Sequence, residues 1–198
     1  MSTRVEPLLT IGDLDAMPED GNRYEVIEGE LLVSRAPNLL HQATPGNLVF
    51  SIMSYLSQNP IGRVWSTPGV ILSEFDGIIP DLAFVNNDQQ EKTASGERIT
   101  GAPDLVVEIM SPGPENTRRD RVAKRQLNGK YGVRGYWVID TISRTVEVYA
   151  LEGGTLTSGP ATGSRMKWSQ RSYQGLLARL RTSFGLKRKE PGSPFFRE

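Results

Sequence analysis

The apolar positions of this chain change period from segment to segment, and those changes outline a fold. In RYEVIEGELLVS, residues 23–34, apolar and polar residues alternate on both sides of Glu28-Gly29. That is the period of two half-buried strands with a hairpin turn between them. In HQATPGNLVFSIMSYLSQN, residues 41–59, Leu48, Ile52 and Tyr55 recur at helical spacing with Val49 and Met53 alongside, which predicts a helix. A shorter helix is predicted in TIGDLDAMPED, with Thr10 as its N-cap and Asp13 three residues on, the spacing of a capping box. Three strand-like pieces follow: around Val64-Trp65, over Gly69 to Leu72, and over Ile79 to Val85, with Gly77 placed at the last turn. Leu105 to Met110 is an apolar run fit for a buried strand, and Arg121 to Lys130 reads as a helix stopped by Gly132 at C′. Tyr136 to Ile139 and Thr145 to Ala150 form a second hairpin, while SYQGLLARLRTSF, residues 172–184, fits strand or helix equally. The runs at 79–85, 105–110 and 136–139 are the most continuously apolar, so they should be central strands covered on both faces. The pattern predicts one α/β (α+β) domain, a central mixed sheet flanked by helices.

Composition narrows this picture. The 198 residues suffice for one domain with a real core. At 37% hydrophobic and 23% charged they have globular proportions. With no cysteine there is no disulfide framework and no thiolate metal site, in keeping with the cytoplasm. The first twenty residues lack the apolar core of a signal peptide. No stretch approaches the length that spans a membrane. Net charge is zero but uneven: from Gly163 onward there are nine Lys/Arg against two Asp/Glu. We read 1–182 as the domain and 183–198 as a basic, poorly ordered tail; overall neutrality argues against non-specific coating of DNA.

The informative anomaly is acid inside apolar strands. Asp81 follows Pro80 at the head of one predicted central strand, and Glu108 lies within another. Burying a lone carboxylate is costly unless it is paired or binds a cation, and two on neighbouring strands repel unless a positive charge lies between them. Oxygen ligands suit Mg2+ or Mn2+. Lys124, one helical turn after Asp120 on the following helix, can bring an ammonium to the same point. Arg118 and Arg119 could hold substrate phosphates.

IPDLAFV, then APDLVVEIMSP, then RRDRVAKR and YGVRGYWVID occur in an order that resembles the PD-(D/E)XK nucleases. More closely, the chain resembles a large bacterial family of restriction-endonuclease-like proteins. The likeness runs from about Thr10 to Leu151 and includes NRYEVIEGELLVS. It implies a restriction-endonuclease-like fold and metal-dependent hydrolysis of phosphodiester bonds in DNA. Asp81 would be the motif Asp and Glu108 the motif acid, both metal ligands, with the Ile109 carbonyl as a third oxygen. The Lys usually found two residues after the acid is replaced by Met110, and Lys124 takes its place from the helix. Glu25, in the family's Tyr-Glu pair, would support the site. So would His41, the one histidine, and Asp120. Arg118, Arg119 and Arg121 would contact DNA. Asn128 stands where a Tyr is usual, and Gly135 where an acid is common.

Each residue also has a structural reading. Pro80-Asp81 can cap a strand, and Glu108 can pair with an Arg. Asp120 can serve as a first-turn acid, His41 as a hydrogen-bonding residue, and the basic helix as a solvated face. Pro103-Asp104 reads as a turn into its strand, and Tyr136 and Trp137 as core aromatics. A homodimer is expected of enzymes that cut both strands, with Trp137 or the 145–150 strand, taken as a sheet edge, as its interface.

Overall fold

The computed structural model describes residues 8–34, 39–94, 96–111, 118–158 and 166–167. The 183–198 segment and residues 172–184 lie outside the described residues.

The chain begins with a one-turn helix, α1 (Ile11–Leu14), closed by a reciprocal capping box in which the Thr10 backbone N–H donates to Asp13 Oδ2 at 2.7 Å. The predicted hairpin follows as β1 (Arg23–Ile27) and β2 (Glu30–Ser34), and Glu28 and Gly29 turn it with φ of 53° and 78°. Two positive φ values in succession match the right-handed twist of the flanking strands. Helix α2 (Leu39–Gln58) comes next, then β3 (Gly62–Ser66), β4 (Val70–Ser73), β5 (Asp76–Ile78) and β6 (Leu82–Asn86). Pro80 and Asp81 separate the last two strands, so the predicted 79–85 strand begins later than its apolar run suggests. Gly77 lies inside β5 rather than at a turn. Ile11 of α1 lies over it: a Cβ there would come within 2.3 Å of the isoleucine Cδ1, so the end of that side chain would have to turn aside to admit one.

A short helix, α3 (Asn87–Thr93), and the two-residue β7 (Ile99–Thr100) precede β8 (Leu105–Ile109). A π-helical turn over Arg119–Ala123 then runs straight into α4 (Lys124–Lys130), and Gly132 (φ 85°) follows as the predicted stop. Then come β9 (Gly135–Asp140), β10 (Thr145–Glu152), β11 (Thr155–Thr157) and β12 (Met166–Lys167).

The strands form two sheets, where the hydrophobic pattern predicted one. The larger has the order β11-β10-β9-β8-β6-β3, with β12 pairing β10 beside β11; the smaller has the order β2-β1-β5-β4-β7. β8 pairs parallel with β9 and antiparallel with β6, so the three most apolar strands are central, as their composition requires. Alternation along them divides the core. Leu82, Phe84, Leu105, Val107, Ile109, Trp137 and Ile139 pack with Leu48 and Ile52 of α2 on one face. Ala83 and Val85 face the other way, onto Val70 and Ile78 of the small sheet and Leu127 of α4. Glu108 shares this second face with Val106, and Asp81 with Ala83, by the period-two rule.

The interface expectation is corrected here. Trp137 is buried in the core, and β10 is not a free edge along its length: β9 lies on one side, and on the other β12 pairs Thr145 and Val146 and β11 pairs Ala150 to Glu152. Among the described residues no helix is long and apolar enough to cross a membrane.

Candidate active site

The register builds the site. Leu82 of β6 pairs with Val107 of β8, so the next residues outward, Asp81 and Glu108, come opposite one another. Asp81 is 2% exposed and Glu108 4%, and neither is left bare. Asp81 Oδ2 accepts the Ile109 backbone N–H at 2.7 Å, and its Oδ1 meets Arg23 Nη1 at 3.1 Å. Glu108 Oε1 accepts Lys124 Nζ at 3.0 Å.

Glu25 closes the group from the small sheet. It lies on β1, and its Oε1 accepts both the Ile79 backbone N–H at 2.7 Å and Lys124 Nζ at 2.8 Å. One ammonium therefore bridges two buried carboxylates from different sheets. Lys124 stands at the junction of the π-helical turn and α4, and α4 is packed through Leu127 against Ala83 and Val85 of β6. Asp120, one turn earlier, is buried as well. Its carboxylate pairs with Arg119 Nε at 2.9 Å, and its backbone carbonyl accepts the Tyr136 hydroxyl at 2.6 Å. The amide of Asn128 donates to the Lys124 carbonyl at 2.8 Å.

The charges shift one another. Burial pushes the Glu108 carboxyl well above the usual carboxylate range; Lys124 opposes this, and Asp120, Asp81 and Glu25 reinforce it. Burial works against the Lys124 ammonium, but Glu108, Glu25 and Asp120 more than reverse that, so its pKa lies above the ordinary lysine value. Lys124 is thus a fixed cation at neutral pH. Burial also holds the Tyr136 hydroxyl well above its usual range, with the same acids adding to the effect.

The structure brings together Asp81, Glu108, Lys124, Glu25 and Asp120. Arg119 joins them through Asp120. Arg118 is exposed at the start of the π-helical turn. Arg121 points elsewhere, to Glu147 at 2.9 Å and Asp140 at 3.6 Å. His41 lies on α2, with its side chain outside the described residues. Asp104, of the second Pro-Asp pair, is a buried brace whose carboxylate accepts the Asn86 backbone N–H at 2.8 Å and side-chain amide at 2.9 Å.

Sequence reasoning passed over Arg23. It stands two residues before Glu25 on one strand, and that spacing places both on one face. It also passed over Tyr136, expected only as core, whose hydroxyl is tied to the turn carrying Asp120.

Among the described residues no three His, Cys, Asp or Glu side chains converge as a metal cluster. The Asp81–Glu108 pair still fits a hard divalent ion. Mg2+ is commonly held by one or two carboxylates, with water and substrate phosphate completing its shell. Asp81, Glu108 and the Ile109 carbonyl are all oxygen donors suited to it.

Carboxylates opposed on central strands, beside a lysine delivered by the next helix, define the class: a restriction-endonuclease-like α+β fold. The chain belongs to the Uma2 family, described as "putative restriction endonuclease", whose model matches residues 11–178. Among solved structures it is similar to a protein from Anabaena variabilis ATCC 29413 described as a putative nuclease belonging to DUF820. The two are 23% identical with a TM-score of 0.62, over 77% of this chain and 86% of that one. At that identity the likeness speaks for the fold. No curated protein matches the chain.

Proposed function

We propose that the chain is a Mg2+- or Mn2+-dependent endodeoxyribonuclease that hydrolyses phosphodiester bonds of DNA. The observation that carries this is the pairing of Asp81 and Glu108 across β6 and β8, with the Lys124 ammonium 3.0 Å from Glu108. Asp81 and Glu108 would hold the ion, with the Ile109 carbonyl as the third protein oxygen. Bound there, a divalent ion supplies positive charge to the scissile phosphate and lowers the pKa of a water.

This chain's own residues do the rest. Lys124 is already protonated and is kept so by two carboxylates, so it does not take the proton of the attacking water. It serves as a fixed donor and positive charge beside the reacting phosphate, where charge develops. Glu25 orients that ammonium from the opposite side, and its own position is fixed by the Ile79 N–H. Asp120 sets Arg119 beside the group. Arg118, exposed one residue earlier, extends the positive surface toward the DNA backbone. In the reaction the water oxygen forms a bond to phosphorus as the bond to the leaving sugar oxygen breaks; the proton given up by the water passes to solvent, and solvent supplies one to the leaving oxygen.

The test is cleavage of supercoiled plasmid by purified protein in Mg2+, Mn2+ or EDTA, beside Asp81→Ala and Glu108→Ala. Metal-dependent nicking lost in both variants is expected. Nicking unchanged in both would sink the assignment. No nicking by the wild type, with DNA binding that survives Asp81→Ala, would favour a nuclease-fold module that binds nucleic acid without cutting it.

A further inference from the structure

Arg23 is paired with the carboxylate that the proposed metal site would need. Its Nη1 lies 3.1 Å from Asp81 Oδ1, while the other oxygen, Oδ2, is committed to the Ile109 N–H. The Arg23 side chain is 25% exposed, unlike Lys124 at 3%, so it enters from the rim of the site and can withdraw toward solvent. Lys124 cannot withdraw, because it is enclosed between Glu25 and Glu108.

We infer that Arg23 is a displaceable counter-ion: it holds Asp81 in the metal-free protein, gives up Oδ1 to the divalent ion, and turns its guanidinium to the substrate phosphate. Three physical points carry this. A guanidinium and a divalent cation on one carboxylate oxygen repel each other, so the two compete. A buried carboxylate without a cation is costly, so some positive charge must hold Asp81 before the ion arrives. Once released, the guanidinium stays at the rim of the site, and its forked donors match a phosphate. Arg23 is thus a positioning residue in the metal-free state and a phosphate contact in the loaded one. The inference rests on the metal-binding reading of Asp81 given above.

The test is isothermal titration of the full-length protein with Mn2+ alone, comparing wild type, Arg23→Gln, Arg23→Lys and Asp81→Asn. Arg23→Gln should bind Mn2+ more tightly than the wild type, on the order of tenfold, the size a close and partly desolvated charge pair supports. Arg23→Lys, which keeps the charge, should stay near the wild type. Asp81→Asn should lose binding. A residue needed only for folding would weaken binding when replaced, so the sign of the change separates the two roles.

A second readout is anisotropy of a phosphorothioate duplex, which resists hydrolysis. Arg23→Gln should weaken duplex binding in Mn2+ and leave it unchanged in EDTA. Wild type that binds Mn2+ through Asp81, with Arg23→Gln binding no tighter, overturns the inference while the metal site stands. Equal loss of duplex affinity in Mn2+ and EDTA overturns the hand-over to phosphate. Failure of both wild type and Arg23→Gln to bind Mn2+ defeats the metal reading, and the inference with it.

Discussion

Lys124 is the residue whose loss should most disturb the fold. Its ammonium stands 2.8 Å from Glu25 Oε1 and 3.0 Å from Glu108 Oε1, and its side chain is 3% exposed. Lys124→Met preserves most of the buried stem and removes the charge. Two buried carboxylates are then left facing each other across the gap. Breaking a buried ion pair by removing one partner costs about 3–5 kcal/mol. For a domain of this size that lowers the melting temperature by roughly 6–20 °C. The measurement is urea unfolding in EDTA, followed by circular dichroism, for Lys124→Met and for Lys124→Met combined with Glu25→Gln and Glu108→Gln. The single variant should lose several kcal/mol, and the triple variant should recover most of it.

The pH dependence has a definite sign. Glu108 already sits well above the ordinary value of 4.5, and removal of the ammonium raises it further. A carboxyl with a raised folded pKa costs stability as pH rises above the unfolded value. The gap between wild type and Lys124→Met should therefore be smallest at low pH, where this carboxyl is protonated in both proteins, and widen only as pH rises above the wild-type folded pKa of Glu108. A loss below about 1 kcal/mol, or a triple variant no more stable than the single one, would refute the view that these three charges form one buried unit.

Two further outcomes follow from the scaffold. Asp76 joins the β1–β2 turn to α4: its carboxylate accepts the Glu28 N–H at 2.7 Å, the Tyr131 hydroxyl at 2.6 Å and the Ser73 hydroxyl at 3.0 Å. Burial raises its pKa, but these bonds outweigh burial and hold it below the ordinary value of 3.8. Asp76→Asn should cost about 1.5–3 kcal/mol at pH 7; because a lowered carboxyl stabilises above its unfolded pKa, the difference should vanish only as pH falls below 3.8 toward the folded value, as read by chemical unfolding across pH. Gly129→Ala should fail to stabilise α4, although alanine is worth about 1 kcal/mol more than glycine in a helix interior; an added Cβ would lie 3.2 Å from the Leu156 backbone nitrogen of β11, and thermal melting above the wild type would show that β11 yields freely.

What could be read in advance followed local chemistry. The first hairpin was legible because Glu28-Gly29 carries a turn between alternating strands. Helix α2 was legible from the spacing of Leu48 and Ile52, and β8 from its unbroken apolar run. The smaller sheet was not, because its pairings join short strands remote in sequence: β1 meets β5 through Val26 and Gly77, and β4 meets β7 through two residue pairs. Helix α3, NDQQEKT, has no buried face and so no hydrophobic period. It starts where Asn86 accepts the Gln89 N–H at 3.0 Å and donates to Asp104, a tertiary contact that no local pattern announces. At the site, Asp81 and Glu108 stood out because acid in an apolar strand demands a partner. Lys124 stood out less, since a lysine in a run of basic residues ordinarily faces water; its place one turn after Asp120, on the helix that follows Glu108, offered it as their partner, and the resemblance pointed the same way. Arg23 was hidden for a different reason: its significance lies only in what Asp81 touches.

The balance of charge at the site explains why these residues belong together. Among the described residues, four acidic side chains, Glu25, Asp81, Glu108 and Asp120, meet three cations, Arg23, Arg119 and Lys124. The crowding of acids shows in Glu108, where Asp120, Asp81 and Glu25 add to the effect of burial and Lys124 opposes it. On the proposed reading, a divalent ion between Asp81 and Glu108 would relieve that crowding, and the phosphodiester of the substrate would balance the charge the ion brings. Stability withheld from the metal-free protein would then reappear as affinity for ion and substrate.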